Sequence, residues 1–325
     1  MKILITGGAG YIGSFMVRKL KDEGHEVIIL DNLSNGHTEA VSEFRLENID
    51  LVTEKQKLEA LFQAEKFDAV IHMASFIQMG ESFKNPSKYY INNVLGFINL
   101  LDVMVINNCK KLIISSSAGV YGNPVRLPIK EDDPKNPLNP YGETKYMIER
   151  IADDYDLVYD LKYITFRYFN AAGAALDGSI GEAHIEESHL IPNVIAKMAK
   201  NEEFELFGSD YETADGTCVR DYIHVLDLVD SHALGLKALE EGAMSNNYNI
   251  GIGKGYSNME VIKMIEEKSG MRVNIKFGPR RQGDANALYA SNKKIFDELG
   301  WTPKYDLDII VESALKWHKS HPEGY

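Results

Sequence analysis

The sequence predicts an α/β protein: a doubly wound parallel sheet followed by a smaller mixed α/β domain. Three observations carry that expectation. The chain opens on an apolar strand, Lys2-Ile3-Leu4-Ile5-Thr6, which breaks into Gly7-Gly8-Ala9-Gly10-Tyr11-Ile12-Gly13. Short apolar runs then recur at residues 27–30, 69–72, 112–115 and 163–167, separated by segments of helical periodicity such as 54–63 and 92–107. Apolar strands alternating with amphipathic helices are how a buried parallel sheet reads. After about residue 170 the alternation fades, and Ala171-Ala172-Gly173-Ala174-Ala175 leads into less regular sequence. The boundary is therefore expected near 175, with residues 1–175 as the first domain, 176–325 as the second, and some later segments returning to the first. With no repeat or long linker between them, the two parts are expected to pack around one cleft.

The glycine turn has a direct physical reading. Gly7 and Gly10 let the backbone bend tightly and approach a pyrophosphate, while Gly13 lets the following helix, expected to run to about residue 21, pack close to the strand. That leaves amide groups at a helix N-terminus facing anionic oxygens. The glycines fit two registers, starting at Gly7 or at Gly8, so spacing alone does not separate relatives of the Rossmann-type fold. Context decides: a strand precedes, a helix follows, and the second apolar run ends in Asp31. An acid at that strand tip accepts hydrogen bonds from a ribose diol and repels a 2′-phosphate. NAD is expected rather than NADP.

Composition narrows the remaining classes. A chain of 325 residues suffices for one large or two modest domains. The formal charge of −13 argues against nucleic-acid or membrane-surface partners. Cys109 and Cys218 are too few and too unpatterned for a disulfide scaffold or a zinc cluster, so reduced, structural thiols and no metal are expected. A strand starting at residue 2 leaves no room for a signal peptide, and no apolar run approaches a membrane span, so a cytoplasmic location is expected.

The second strong signal is Tyr141-Gly142-Glu143-Thr144-Lys145, after Asn139-Pro140. Asn139 reads as a helix cap and Pro140 as the first helical residue. Tyr141 then lies in the first turn with Lys145 one turn on along the same face. A cation at that spacing, with the positive end of the helix dipole, favours phenolate and makes Tyr141 a general base for a hydroxyl proton. Ser115-Ser116-Ser117, at the carboxyl end of the strand at 112–115, are placed to share that proton.

These stretches, with Asp31-Asn32-Leu33-Ser34, Gly80-Glu81-Ser82, Tyr89-Tyr90, Asn92-Asn93-Val94, Arg167-Tyr168-Phe169-Asn170, Val219-Arg220-Asp221-Tyr222-Ile223-His224-Val225 and Pro279-Arg280-Arg281-Gln282-Gly283-Asp284, carry a resemblance. Over nearly its whole length the chain resembles the extended short-chain dehydrogenase/reductases, and among them the UDP-glucose 4-epimerase branch. The resemblance implies that Tyr141 is base and acid, that Ser117 is its partner on the sugar hydroxyl, and that Lys145 binds the nicotinamide ribose. It implies NAD contacts from Tyr11 and Ile12; from Asp31, Asn32, Leu33, Ser34, Asn35 and Gly36; from Asp50 and Leu51 at the adenine; from Met73, Ala74, Ser75 and Ile77; and from Asn93 and Phe169. It implies UDP-sugar contacts from Asn170, His189 and Leu190, from Glu205, Leu206 and Phe207, and from Arg220, Arg281, Asp284 and Leu288. Two arginines suit a diphosphate held by so acidic a chain.

The implied activity is oxidation at sugar C4, rotation of the 4-keto sugar and re-reduction by a retained NAD, interconverting UDP-glucose and UDP-galactose. A homodimer paired through the helices at 92–107 and after Tyr141 is implied as well. Two departures stand out. Ile77 lies where these enzymes often carry a lysine, and Leu288 where glucose/galactose-restricted ones carry a bulky tyrosine, which extends the expectation to UDP-GlcNAc and UDP-GalNAc. Ala118 and Gly119 follow the serines where dehydratases and decarboxylases need a carboxyl group, favouring simple epimerisation. The alternatives are a 4-epimerase of UDP-glucuronate or UDP-pentoses and, from another class, a non-catalytic NAD-sensing regulator.

Overall fold

The computed structural model describes residues 1–281 and 283–325; Gln282, inside the arginine-rich motif, lies outside the described residues. The chain divides into two compact units: residues 1–122, 135–168 and 229–248 form one, and residues 123–134, 169–228 and 249–325 the other.

The first unit is built on a sheet whose strands follow the apolar runs: β1 (Lys2–Thr6), β2 (Glu26–Leu30), β3 (Leu46–Glu47), β4 (Ala69–His72), β5 (Lys111–Ser117) and β6 (Lys162–Tyr168). The order is β6-β5-β4-β1-β2-β3, with Asn246–Ile250 beside β6 as a seventh strand among the described residues. Each pair from β6 to β3 is parallel. Parallel neighbours need crossovers. These run through α1 (Tyr11–Asp22), α2 (Lys55–Glu65), α3 (Met79–Lys84), α4 (Pro86–Tyr89), α5 (Gly96–Ile106) and α6 (Pro140–Tyr159). Leu4, Val70, Leu112 and Ile114 face one core with Leu58, Phe62, Phe97, Leu101, Met104 and Ile148.

The helix expected at 92–107 is α-helical only from Gly96 on. Between α4 and α5 the backbone of Tyr90–Leu95 widens into a π-helical turn. The uninterrupted helical run Pro86–Ile106 is 21 residues and apolar enough to cross a membrane by length and composition, which corrects the expectation that no run approaches a span. Within this unit it is core material: Tyr89, Phe97, Leu100, Leu101, Val103 and Met104 are buried.

In the second unit α7 (Leu190–Ala199), α9 (Asn258–Ser269) and α11 (Leu307–Ser320) pack their apolar faces together, and α10 (Lys293–Leu299) lies in the same unit; α8 (Val225–Glu240) belongs to the first unit from Val229 on. Its strands are short. Asn170–Ala172 pairs in parallel with Tyr222–His224, and Glu203–Phe207 with Asn274–Gly278. Val219–Arg220 lies between Tyr256–Ser257 and Ala287–Leu288.

Candidate active site

The glycine turn joins β1 to α1, and two of its glycines are required by contact. A Cβ on Gly13 would sit 2.1 Å from the Gly7 carbonyl oxygen, and one on Gly7, whose φ is +72°, would sit 2.6 Å from the Ala74 amide nitrogen. Those clearances draw α1 and the loop after β4 onto the turn. Gly10 caps α1 without a side chain, so the first helical amides face outward as an anion cradle.

Asp31 ends β2. Its Oδ2 accepts from Ala9 N–H at 3.0 Å and its Oδ1 from Leu33 N–H at 2.8 Å. Burial pushes its pKa up against those two bonds. Among the described residues no lysine, arginine or histidine pairs with it, leaving acceptor capacity for neutral hydroxyls. Gly36 passes so close that a Cβ would lie 3.1 Å from either Asp31 oxygen. Asn32 donates to Asp50 at 2.7 Å, and Asn99 holds the Leu51 carbonyl at 2.9 Å. The side chain of Leu51 is in the core, so only its backbone can reach a ligand. Ser34 and Asn35 are exposed.

Asn93 is placed by the π turn. Its side chain accepts from Phe76 N–H at 2.9 Å and donates at 3.1 Å both to the Phe76 carbonyl and to Thr144 Oγ1. It thereby ties residues 73–77, Ile77 among them, to the first turn of α6. Nothing in the local sequence marks a π turn, and such turns gather at functional sites.

Ser117, Tyr141 and Lys145 come together where β5 ends and α6 begins. Asn139 caps α6 by accepting from Gly142 N–H at 2.8 Å, with Pro140 as first helical residue. A Cβ on Gly142 would lie 2.7 Å from the Gly119 carbonyl oxygen, so the helix start rests directly on the turn after Ser117. Ser117 Oγ accepts from Gly119 N–H at 3.0 Å, and the hydroxyl is near enough to the Tyr141 phenol to hold down part of the rise in its pKa. The buried Lys145 ammonium donates to Ser75 Oγ at 2.7 Å and to the Ser115 carbonyl at 2.8 Å.

In the second unit Arg220 is largely buried. It donates to the carbonyls of Val219 and Ala285, each at 2.9 Å, and to Asp284 at 3.3 Å. Leu288 stands opposite it in the strand register. Arg281 is exposed, its guanidinium 4.3 Å above the Phe207 ring. Glu205 is exposed on the same strand, while Leu206 is core, as Leu190 partly is. Phe169 is buried, and Asn170 N–H bonds the Asp221 carbonyl at 2.9 Å. His189 precedes α7 with its Nδ1 on Glu182.

The model of the NAD dependent epimerase/dehydratase family matches residues 3–251. The chain belongs to that family. A UDP-glucose 4-epimerase of Lactobacillus helveticus is 46% identical over 333 residues, covering 100% of this chain and 99% of its own. The Bifidobacterium longum UDP-glucose 4-epimerase, solved with NAD+ and UDP, has TM-score 0.93 and 36% identity, covering 100% of both chains. The UDP-Glc/GlcNAc 4-epimerase of Campylobacter jejuni has TM-score 0.85 and 40% identity over 98% of this chain and 99% of that one.

For a member of the family, the electrostatics of the pair differ from the spacing argument. Burial raises the Tyr141 pKa, and the Ser117 hydroxyl only partly opposes it. Lys145 is itself shifted down to about 7, because burial outweighs the attraction of Glu149. Its ammonium lies 6.0 Å from the Tyr141 ring centroid and is held by oxygens of other elements. The protein alone therefore keeps the phenol protonated.

A lysine with a depressed folded pKa has lost its proton where the unfolded chain still holds one, so stability rises with pH between the two values. Wild type should gain melting temperature relative to Lys145→Met as pH rises from about 7 toward 10.5. Thermal melts of both proteins across that range measure it; parallel curves would show that the ammonium is not depressed.

Proposed function

We propose that the chain is a UDP-glucose 4-epimerase that interconverts UDP-glucose and UDP-galactose with a tightly held NAD. The observation that carries this is the meeting of Ser117, Tyr141 and Lys145 at the carboxyl end of β5, in the unit that also holds the glycine turn and Asp31. UDP-glucuronate, UDP-pentoses and a non-catalytic sensor are not favoured as the main reading: full-length relatives are named for UDP-glucose, the Pisum sativum one for UDP-xylose in addition, and a sensor has no use for a phenol backed by a buried amine.

The residues fit the dinucleotide. Gly7 and Gly13 leave the space a Cβ would fill, the α1 amides take the pyrophosphate, Asp31 the adenosine ribose, and Asp50 with the Leu51 backbone the adenine side. Met73, Ala74, Ser75, Ile77, Asn93 and Phe169 are assigned to the nicotinamide side. When bound, the nicotinamide accepts hydride from sugar C4 and returns it, and its cationic ring favours the phenolate that this protein alone does not.

Tyr141 then withdraws the proton from the O4 hydroxyl while Ser117 shares the hydrogen bond and holds the oxygen in line. Lys145, protonated, hydrogen-bonds the ribose and stabilises the phenolate. In the return step Tyr141 hands its proton back to the 4-keto oxygen as a general acid. Arg220 and Arg281 grip the diphosphate; Asn170, the backbone of Leu190 and Leu206, Phe207 and Asp284 hold uridine and phosphates. With its charge-based anchors on the nucleotide, the keto sugar is free to turn its other face.

Two finer points belong to this reading. Leu288, opposite Arg220 in register, leaves room for a 2-acetamido group. The enzyme also works as a homodimer in the cytoplasm: Ile91 and Leu95 in the π turn and Leu157 and Val158 at the end of α6 are large apolar side chains left exposed on the chain alone.

Tyr141→Phe should retain NAD, read by its absorbance in the purified protein, while losing epimerisation by roughly 10²–10⁴-fold; undiminished turnover would remove Tyr141 from the reaction. Wild type should interconvert UDP-GlcNAc and UDP-GalNAc, and Leu288→Tyr should cut kcat/KM for UDP-GalNAc by about tenfold or more while sparing UDP-galactose. Turnover of UDP-galactose alone by wild type would reject the roomier pocket. Sedimentation at micromolar concentration should give a dimer for wild type and a monomer for Leu95→Glu.

A further inference from the structure

The segment between the Gly/Ala-rich stretch and α7 holds Glu182, His184, Glu187 and His189 within eight residues, and only His189 has a place in the reading above. Their donor atoms, one carboxylate oxygen or imidazole Nδ1 from each, all lie within 4.8 Å of one another. Glu182 Oε1 is 3.2 Å from His184 Nδ1, His184 Nδ1 is 3.2 Å from Glu187 Oε2, and His189 Nδ1 is 3.8 Å from Glu187 Oε1. The remaining contact, His189 Nδ1 to Glu182, is closer still. Four ligands at about 2.0–2.1 Å around a tetrahedral Zn2+ are spaced about 3.3 Å apart, close to the two His184 contacts; His189 and Glu182 would have to separate to admit an ion.

The cluster is built rather than loose. Glu182 is buried, and its carbonyl accepts from Trp317 Nε1 on α11 at 3.2 Å. Glu187 Oε1 accepts from the N–H groups of Ser188 at 2.7 Å and His189 at 2.8 Å, and Asn193 on α7 holds the Glu187 carbonyl at 3.0 Å. With no ion present burial is outweighed by the neighbouring carboxylates, which make both imidazoles more basic, His184 up to about 10; once both are deprotonated the four groups carry −2, which a dication cancels. Mixed nitrogen and oxygen donors at this spacing suit zinc-class transition ions better than Ca2+ or Mg2+, which prefer all-oxygen shells. The two cysteines, on which the sequence expectation of no metal rested, take no part.

We propose that Glu182, His184, Glu187 and His189 form a structural site for one Zn2+-class ion, clamping residues 182–189 against α7 and α11. Ligands must be deprotonated to bind, so the ion displaces the protons that otherwise bridge histidine to carboxylate.

The test uses the full chain, stripped with chelator and titrated with Zn2+ by calorimetry, with Co2+ as the optical probe. Wild type should bind one Zn2+ per chain and give the strong visible absorption of tetrahedral Co2+. Zn2+ should raise its melting temperature and slow amide exchange in residues 182–190. His184→Gln and Glu187→Gln, both only partly buried, should each weaken Zn2+ binding by about 100-fold or more, since losing even an outer-shell partner costs 10–100-fold. No uptake by wild type, equal uptake by both variants, or protection confined to other segments would overturn the site. The exchange experiment needs no variant and decides the matter if either substitution unfolds the protein.

Discussion

The first unit depends on one buried ion pair. Arg167 of β6 and Glu149 of α6 are both almost fully enclosed, joined by Nη2–Oε2 at 2.7 Å and Nε–Oε1 at 3.0 Å. Ser116 of β5 donates to the same carboxylate at 2.5 Å, and Arg167 Nη1 reaches the Tyr121 hydroxyl at 2.7 Å. Desolvating two charges costs several kcal/mol each, and an apolar pair of equal volume would be as stable or more so. The pair therefore acts through geometry. It pins the rotation of α6 against two strands, and Glu149, Lys145 and Tyr141 recur every four residues along that helix. Turning α6 by one residue, about 100°, would swing all three off the sheet edge. The same carboxylate also faces Lys145 and opposes part of the loss of basicity that burial imposes on it.

Much of this frame is legible in the sequence, for physical reasons that differ by element. The central strands are apolar on both faces, and no other local structure explains Ile3-Leu4-Ile5 or Val70-Ile71 so economically. Their polar continuations are hidden: β5 extends past the expected end at Ser115 through Ser116 and Ser117 because β6 pairs with both, residue against residue. The two-residue β3 is too short to leave a period. Asn246–Ile250 reads as loop, yet Asn249 is buried, its side chain donating to the Ile129 carbonyl at 3.0 Å and its N–H to Glu131 at 2.9 Å. Long-range partners, not local propensity, make that strand.

At the site, positions are legible and energies are not. Spacing puts Tyr141 and Lys145 on one face, and the Asn-Pro start anchors the register. Spacing cannot show that Ser75 and Ser115, distant in sequence, take the ammonium, nor that desolvation governs both groups. Helix-dipole and neighbour-charge reasoning assumes a solvated pair, whereas here burial is the largest influence on each. That reverses the expected direction for the phenol and assigns part of its activation to the charge of the bound nicotinamide. Asn93 shows the same limit: one extra residue in a helical turn leaves no trace in periodicity, yet it turns the amide toward Phe76 and Thr144.

A protein of net charge −13 that binds a nucleotide diphosphate must place its cations economically. Arg220 is held by two carbonyls and Asp284, so in the proposed role little side-chain freedom would remain to be lost on binding phosphate. Arg281, stacked on Phe207, is likewise restrained by a ring rather than by a carboxylate. Arg281 thus keeps its donors oriented by a ring, while Arg220 is oriented mainly by carbonyls, with Asp284 a longer contact at 3.3 Å. At Leu288 the residue assigned to the sugar is apolar and makes no directional bond. Affinity placed on the diphosphate, with weak directionality at the hexose, is what a reaction needs when its intermediate has to present both faces to one hydride donor.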